Sequence, residues 1–141
     1  MNRTELTEKN NQNWYRGQAF SDNGCDPEFR EIAQCFLCGE VTEHGTLSDV
    51  QKALIRLAAL TACQTWKPLE EYTLSALDVG AAPEQIKETL YQCAPYIGLE
   101  KVQCALDEVN QAFQAVGITC PLPEQSTVTE AARFEKGLAV Q

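Results

Sequence analysis

The stretch GAAPEQIKETLYQCAPYIG, residues 80–98, decides the fold because it reads as a helix end, a helix start and a second helix end. Gly80 is typical of the left-handed residue that follows a helix, and Pro83 of the first turn of the next one. Glu84 lies early in that helix, where the helix dipole favours negative charge. Apolar residues then recur at helical spacing, at Ile86, Leu90, Cys93, Ala94 and Ile97. The stretch therefore predicts a helix between two glycines, with Pro95 bending or closing its end.

Helical spacing of apolar residues also extends along the rest of the chain. It predicts further helices over residues 26–43, 48–64, 68–79 and 99–116. Ser48, followed three residues later by Gln51, is typical of a capping box at a helix start. No stretch alternates apolar and polar residues as a strand would, and short connections favour antiparallel neighbours. We therefore expect an all-α fold, a compact bundle of about five to six helices.

The helix predicted over residues 26–43 has a clear start and an apolar face. Asp26 suits the cap position and Pro27 the first turn. Five apolar residues follow at helical spacing, and we expect them to face inward: Phe29, Ile32, Ala33, Phe36 and Leu37.

The length of 141 residues suits a single domain. Residues 1–24 are polar and predict an extended arm with at most a short helical turn, whose aromatic residues pack on the body or on a neighbouring subunit. Residues 25–120 form the predicted helical domain. Residues 121–141 form a tail, in which we expect one more helix over residues 128–141.

Composition and charge exclude several classes of partner. The net charge is −9, which argues against nucleic acid, because phosphate binding needs clustered lysine and arginine. The same charge argues against docking on an anionic membrane surface. No run reaches the roughly 20 apolar residues of a membrane helix, and no signal peptide is evident. We expect a cytoplasmic protein with small-molecule partners, either a substrate or a thiol and a peroxide.

The string G-A-x-P-E-x-I-x-E-x-L-x-Q-x-x-x-Y-x-G within residues 80–98 resembles the signature of the carboxymuconolactone decarboxylase and alkyl-hydroperoxidase-D-like family. The resemblance covers about residues 29–113, and Lys52 stands where the family usually has arginine. It implies a small helical unit that assembles as a homo-oligomer, commonly a trimer or hexamer. Residues 133–141 are similar to the segment that begins a second copy of the unit in tandem members.

The resemblance also implies where the family chemistry would lie. Redox members carry a Cys-x-x-Cys pair followed four residues later by histidine, with an acidic residue upstream, and decarboxylase members use a histidine at the corresponding helix. In this chain the pair would fall near Thr65 and Pro68, the histidine at Tyr72, and the acidic residue near Ala53. The usual machinery is therefore absent, and the resemblance implies an altered activity.

Seven cysteines offer thiol chemistry at other positions. Cys35 and Cys38 form a Cys-x-x-Cys pair on the first predicted helix, and Cys63 ends the second. His44 is the only histidine, and a histidine beside a cysteine favours the reactive thiolate. The alternative is that the pair only packs in an apolar helix face and that His44 is a solvated loop residue.

A zinc site is a weaker alternative. One Cys-x-x-Cys pair without a second is a poor metal signal, although three thiolates could come from Cys25, Cys35 and Cys38, with a fourth ligand from Cys63 or His44. We therefore expect no metal and no cofactor.

For a decarboxylase, Lys52 and Arg56 are the candidates to hold an anionic substrate, and Tyr72 is the candidate to relay a proton. Two hypotheses follow. The first is an enzyme of this family, decarboxylating a small lactone acid or handling thiols and peroxides through Cys35, Cys38 and Cys63. The second is an oligomeric scaffold or ligand-binding protein that kept the fold and lost the site.

Overall fold

The computed structural model describes residues 1–21 and 24–140, and within them it contains α-helices, short 3₁₀ and π segments and no strand. The described chain forms seven α-helices: α1 (Arg3–Tyr15), α2 (Pro27–Phe36), α3 (Asp49–Ala62), α4 (Leu69–Asp78), α5 (Pro83–Ile97), α6 (Leu99–Ala115) and α7 (Arg133–Leu138). The all-α prediction is confirmed. The parts of the predicted arm and tail at residues 22, 23 and 141 lie outside the described residues.

The prediction of an extended arm is wrong for most of the N-terminal segment, which forms α1. Asn2 begins this helix through a capping box: its side chain accepts the Glu5 backbone N–H at 2.9 Å, and its own N–H donates to Glu5 Oε2 at 3.0 Å. Trp14 and Tyr15, at the end of α1, are 3% and 2% exposed and pack in the core. Of the two docking alternatives, the structure shows these aromatic residues packed on the body of the same chain.

Helix α2 begins at Pro27 as predicted and continues into a π-helical segment, Leu37–Val41. The expectation that its apolar residues face inward is wrong within this chain, since α2 contains no buried residue. Phe29 and Ile32 are 68% and 67% exposed. Helix α2 packs on α1 and the π segment, so its apolar face is left open.

The helices that follow begin and end close to the predicted residues. Ser48 caps α3 through the predicted capping box with Gln51. Gly80 adopts a φ of 95° between α4 and α5, and Gly98 a φ of 100° between α5 and α6, a conformation that glycine adopts without strain. Helix α5 continues past Pro95 to Ile97, so the end of the helix is set by Gly98.

The core lies where α3, α4, α5 and α6 pack against one another, with α1 against α4. Its largest fully buried apolar side chains come from these central helices: Leu57, Leu69, Ile86, Leu90, Val109 and Phe113. Beyond α6, a 3₁₀ turn (Glu130–Ala132) and α7 form the C-terminal tail, which makes one helix as predicted. None of the helices in the described residues combines the length and apolar character needed to cross a bilayer.

Candidate functional site

Arg56, in the second turn of α3, carries a partly buried positive charge that is held on three sides. Its Nη1 donates to the Tyr15 hydroxyl at 2.8 Å, and its Nη2 donates to Thr42 Oγ1 at 2.9 Å. The guanidinium carbon lies 4.4 Å from the centre of the Trp14 ring, a cation–π contact. Among the described residues Arg56 forms no ion pair with a carboxylate. The charge is therefore fixed in position without being neutralised.

The π segment explains how Thr42 reaches Arg56. The Thr42 backbone N–H donates to the Leu37 carbonyl five residues back, at 3.0 Å, and its hydroxyl donates to the same carbonyl at 2.8 Å. The wider turn leaves the Cys38 carbonyl without that N–H, and Asn10 Nδ2 of α1 donates to it at 2.7 Å. Asn10 also donates to Glu43 Oε1, so this residue of α1 forms a hydrogen bond at each end of the turn.

Two phenols support Arg56 from the interior. The rings of Tyr15 and Tyr72 meet edge to face, with centroids 5.5 Å apart. Burial raises the pKa of both hydroxyl groups, and the charge of Arg56 opposes that rise. Both phenols therefore stay protonated at neutral pH, and Tyr15 acts as an acceptor for Arg56.

Lys52 lies one helical turn before Arg56 and converges on the same residue. Its Nζ donates to the Thr42 carbonyl at 2.6 Å, while Arg56 binds the Thr42 hydroxyl. Lys52 also forms no ion pair with a carboxylate within the described ranges. Lys52 and Arg56 thus bring two cations without ion pairs to one residue, in a chain whose net charge is −9.

Three of the predicted site residues, His44, Lys52 and Arg56, line one open cleft of about 500 Å³. His44 lies exposed on the turn after the π segment, where its backbone N–H donates to the Val41 carbonyl at 3.2 Å. Lys52 also borders a second, more polar cleft of about 600 Å³ on the side of α1. The structure thus brings the cationic pair and the only histidine of the chain to a common wall.

The Cys-x-x-Cys pair is not placed in this cleft. Cys38 lies in the π segment and is fully buried, while Cys35 in α2 is partly buried. Burial raises the pKa of the Cys38 thiol to about 11, an effect that outweighs the opposing charge of Arg56. Such a thiol is almost entirely protonated at neutral pH, whereas the thiolate is the nucleophile.

Cys63 and Tyr72 also lie away from the wall of the cleft. Cys63 is exposed at the C-terminal cap of α3, seven residues and therefore about 10 Å of helix beyond Arg56. Tyr72 is turned into the interior, against Tyr15. The next residue back, Glu71, has a buried Oε1 without a hydrogen-bond partner in the described chain, and burial raises the pKa of its carboxyl group.

The sequence model of the carboxymuconolactone decarboxylase family matches residues 27–111, more than half of the chain. The chain belongs to the carboxymuconolactone decarboxylase family. A curated 4-carboxymuconolactone decarboxylase from Acinetobacter baylyi is similar to it, with 24% identity over 96 residues that cover 68% of this chain and 72% of that protein.

The structure shows the surroundings of the residues that stand where the resemblance is expected to place the family chemistry. Ala53, at the expected acidic position, is buried in α3. Thr65 follows α3 and Pro68 caps α4, and neither offers a thiol. The one titratable side chain among these positions is the phenol of Tyr72.

Sequence reasoning missed the residues that hold Arg56 from the α1 side, namely Trp14, Tyr15 and Asn10, and also Thr42. The adjacent pair Trp14-Tyr15 was the available signal, because two aromatic residues in an otherwise polar segment need a buried partner. Asn10 and Thr42 carried no signal, since their partners are distant in sequence.

Proposed function

We propose that this protein is a decarboxylase that acts on a small carboxylated acid, a lactone acid being the precedent given by the name of its relative. The observation that carries the proposal is the pair of unneutralised cations, Lys52 and Arg56, on the wall of a cleft that also contains His44. Such a pair matches a substrate that enters as an anion and gains charge on an oxygen as it reacts.

The balance of the reaction assigns roles to these groups. The bond between the carboxylate carbon and the substrate carbon breaks, and CO₂ leaves. The electron pair of that bond moves to an oxygen conjugated with the substrate carbon. Cations that grip the departing carboxylate would stabilise the ground state, so catalysis requires one at the oxygen that gains charge. Arg56 suits that role because Tyr15, Thr42 and Trp14 fix it beforehand. Lys52 then binds the incoming anion.

A proton must replace CO₂ on the substrate carbon. His44 is the group in the cleft that suits this transfer near neutral pH, because imidazole both donates and accepts protons there. Tyr72 is assigned an indirect role: it packs on Tyr15, which accepts a hydrogen bond from Arg56. In this proposal Tyr72 is a positioning residue, and the proton comes from His44.

The test is a decarboxylation assay with a carboxylated lactone on wild type and matched variants. Arg56→Gln keeps hydrogen bonding and removes the charge, and we expect kcat/KM to fall at least 100-fold. His44→Gln should lower kcat more than it raises KM. Lys101→Met, which removes a charge outside the cleft, should leave the rate unchanged.

The same variants separate the thiol alternative. A Cys35→Ala, Cys38→Ala double variant should retain decarboxylation, since the buried Cys38 thiol has a pKa of about 11. Peroxide reduction that depends on these cysteines, without turnover of any carboxylated acid, would refute the proposal.

A binding protein without catalysis is the second candidate, and the interior position of Tyr72 favours it, because the resemblance places the family histidine there. It predicts anion binding that depends on Lys52 and Arg56 with no turnover. Calorimetric titration alongside the assay distinguishes the two, since the enzyme proposal requires both signals.

We also propose that the protein is a homo-oligomer, with the trimer or hexamer as the expected states. The chain exposes 9352 Å², whereas a folded monomer of 15.6 kDa exposes about 7,200 Å². Part of the excess comes from the exposed tail, and part from the open apolar face of α2, which includes Phe29 and Ile32. Light scattering should give a mass of several protomers, and Ile32→Asp should lower it; a monomeric wild type would contradict this proposal.

A further inference from the structure

Two helices present apolar side chains that the described part of the chain leaves uncovered. On α2, Phe29, Ile32 and Phe36 recur at helical spacing and are 68%, 67% and 58% exposed. On α7, Phe134 and Leu138 lie one helical turn apart and are 78% and 63% exposed. Apolar groups of this size on one face of a helix are typical of a contact surface.

Helix α7 needs a partner in order to persist as a helix. It is six residues long, and among the described elements it contacts the 3₁₀ turn before it and no other helix. Helices shorter than about 12 residues are marginal in water without tertiary packing. Lys136 Nζ donates to the Thr127 carbonyl at 2.6 Å, which holds α7 to the preceding coil but leaves its apolar face open. The packing that stabilises α7 must therefore come from another surface.

The charges of the two helices are complementary. Helix α2 has two glutamates and one arginine, a net charge of −1, whereas α7 has an arginine, a lysine and a glutamate, a net charge of +1. A contact between α2 and α7 brings opposite net charges together, while two copies of α2 would bring like charges together. Arg133 of α7 also pairs with Glu130 at 3.5 Å, but this ion pair is exposed and contributes little.

The tail is long enough to carry α7 to another copy of the chain. Leu122 packs against the core, and residues 123–129 after it are all exposed. Seven residues of extended chain span up to roughly 23 Å. Within one chain α7 does not contact α2, so a second copy is the source of the missing surface.

We propose that α7 of one protomer packs on the apolar face of α2 of a second copy. The inference rests on the homo-oligomer proposed above and adds which surfaces meet. Because the two surfaces differ, each protomer offers one of each, and such contacts can close into a ring such as a trimer.

The exposed area is sufficient for this arrangement. A stable contact buries about 800 Å² on each partner, and thus about 1,600 Å² on a protomer that uses both surfaces. The chain exposes about 2,150 Å² more than a compact monomer of its mass. Both surfaces can therefore be buried at the standard size of a specific interface.

Two full-length variants that each lose one surface test the pairing. Ile32→Asp places a charge on α2, and Phe134→Asp combined with Leu138→Asp places charges on α7; all three side chains are exposed, so the fold tolerates the changes. In light scattering each variant alone should have a lower mass than wild type. An equimolar mixture should have about twice the mass of either variant, because one chain retains the face of α2 and the other retains α7. Leu99→Asp, at a 73% exposed position that begins α6, is the control and should keep the wild-type mass.

A photocrosslink locates the contact with both surfaces intact. Phe134→benzoylphenylalanine keeps an aromatic side chain on α7, and irradiation should join it to residues 27–36. Mixing isotopically labelled and unlabelled chains before irradiation shows by mass spectrometry whether the joined segments belong to different copies. Tyr91→benzoylphenylalanine, at a 51% exposed position on α5, is the matched control and should give no crosslink to α2.

The outcomes separate this inference from the homo-oligomer on which it rests. A monomeric wild type overturns both. If wild type is an oligomer but the α7 variant keeps its mass, or if residue 134 crosslinks away from α2, the pairing is wrong and the homo-oligomer stands. Crosslinks to α2 confined to single chains would show that α7 folds back on its own protomer, which also overturns the inference.

Discussion

Two regions of this molecule are held together by different physical means. In the first, which we call the scaffold half (α4, α5 and α6), fully buried side chains such as Leu90 and Phe113 fill the space between helices. In the second, the site half (α1, α2 and the π segment), α2 has no buried residue, α1 reaches the core through Trp14 and Tyr15 at its end, and polar contacts of Asn10 join α1 to the π segment. Helix α1 packs directly on α4, and α3 packs on the scaffold half and reaches the site half through hydrogen bonds of Lys52 and Arg56.

We expect the two halves to contribute differently to stability and to ligand binding. Apolar burial is tolerant of small shifts and supplies most of the folding free energy. Hydrogen bonds to single atoms add less energy but fix positions, which a site for a charged ligand requires. We therefore expect substitutions in the scaffold half to change stability most, and substitutions in the site half to change binding at a smaller cost in stability.

The largest effect should come from the scaffold half. Phe113 is fully buried in α6, and Phe113→Ala should lower the free energy of unfolding by about 3–5 kcal/mol, because it removes apolar contacts and leaves a cavity. Urea denaturation measures the change. Tyr96→Ala, at an 88% exposed position on α5, is the control and should lie within about 0.5 kcal/mol of wild type. Equal losses for the two variants would remove the distinction between core and surface here.

The next effect concerns the buried thiol of Cys38, in the π segment of the site half. The Cys38 pKa is raised from 9.0 to about 11 by burial, so the unfolded chain loses this proton at a lower pH than the folded chain. The resulting stability is fully present below about pH 9 and is lost as the pH rises toward 11, at a cost of about 2 kcal/mol. Urea denaturation at several pH values between 8 and 11 measures this slope.

Matched cysteine variants test whether Cys38 causes this loss of stability at high pH. Cys38→Ala should be less stable than wild type at pH 7 but show a shallower decline above pH 9, whereas Cys120→Ala, at an exposed thiol, should keep the wild-type decline. An identical decline in all three proteins would show that Cys38 does not titrate in this range. Tyr15 contributes in the same direction, because burial also raises its pKa, so the difference between proteins is the decisive quantity.

The two halves also differ in how far the sequence alone predicts them. In the scaffold half, Ile86, Leu90 and Val109 repeat at helical spacing and lie between glycines and prolines that end helices, so periodicity predicts their burial. Burial of an apolar stripe requires only that some partner face it, and every neighbouring helix offers one. The helices from α3 to α6 were accordingly predicted to within a few residues.

Apolar periodicity does not predict the contacts of the site half, and the reason is physical. Helix α1 has almost no apolar periodicity, and its burial depends on Trp14 and Tyr15 finding Arg56 more than 40 residues away. Helix α2 shows the opposite error. The apolar spacing of Phe29 and Ile32 predicts that these side chains are buried against other residues, but it does not tell whether those residues belong to the same chain. Lys52 and Arg56 were predicted as anion-binding residues, which stays a prediction, and the structure places them on one cleft.

Within the site half, Asn10 tests whether single hydrogen bonds hold the elements together. Asn10→Ala removes the side-chain donor to the Cys38 carbonyl in the π segment. Because the wider turn gives that carbonyl no backbone N–H, the carbonyl is left without a hydrogen-bond partner. We expect a loss of about 1–2 kcal/mol in the free energy of unfolding. Asn13→Ala, at an exposed position on the same helix, is the matched control and should be neutral. If both variants behave alike, the site half is held by packing and the contrast drawn above fails.

The smallest effect lies in α3, the helix that both halves share. Ser48 Oγ accepts the Gln51 backbone N–H at 3.2 Å, and the Ser48 N–H donates to Gln51 Oε1 at 2.9 Å. Ser48→Ala should cost about 1 kcal/mol, while Ser48→Asn, which retains a cap, should cost only a few tenths. Hydrogen exchange sharpens the prediction, since the Lys52 amide donates to the Ser48 carbonyl and should exchange faster in Ser48→Ala. The backbone amides of the scaffold half should keep their protection from hydrogen exchange, because the first turn of α3 carries Lys52 and contributes little to the core. A uniform loss of protection would mean that the two halves unfold as one unit.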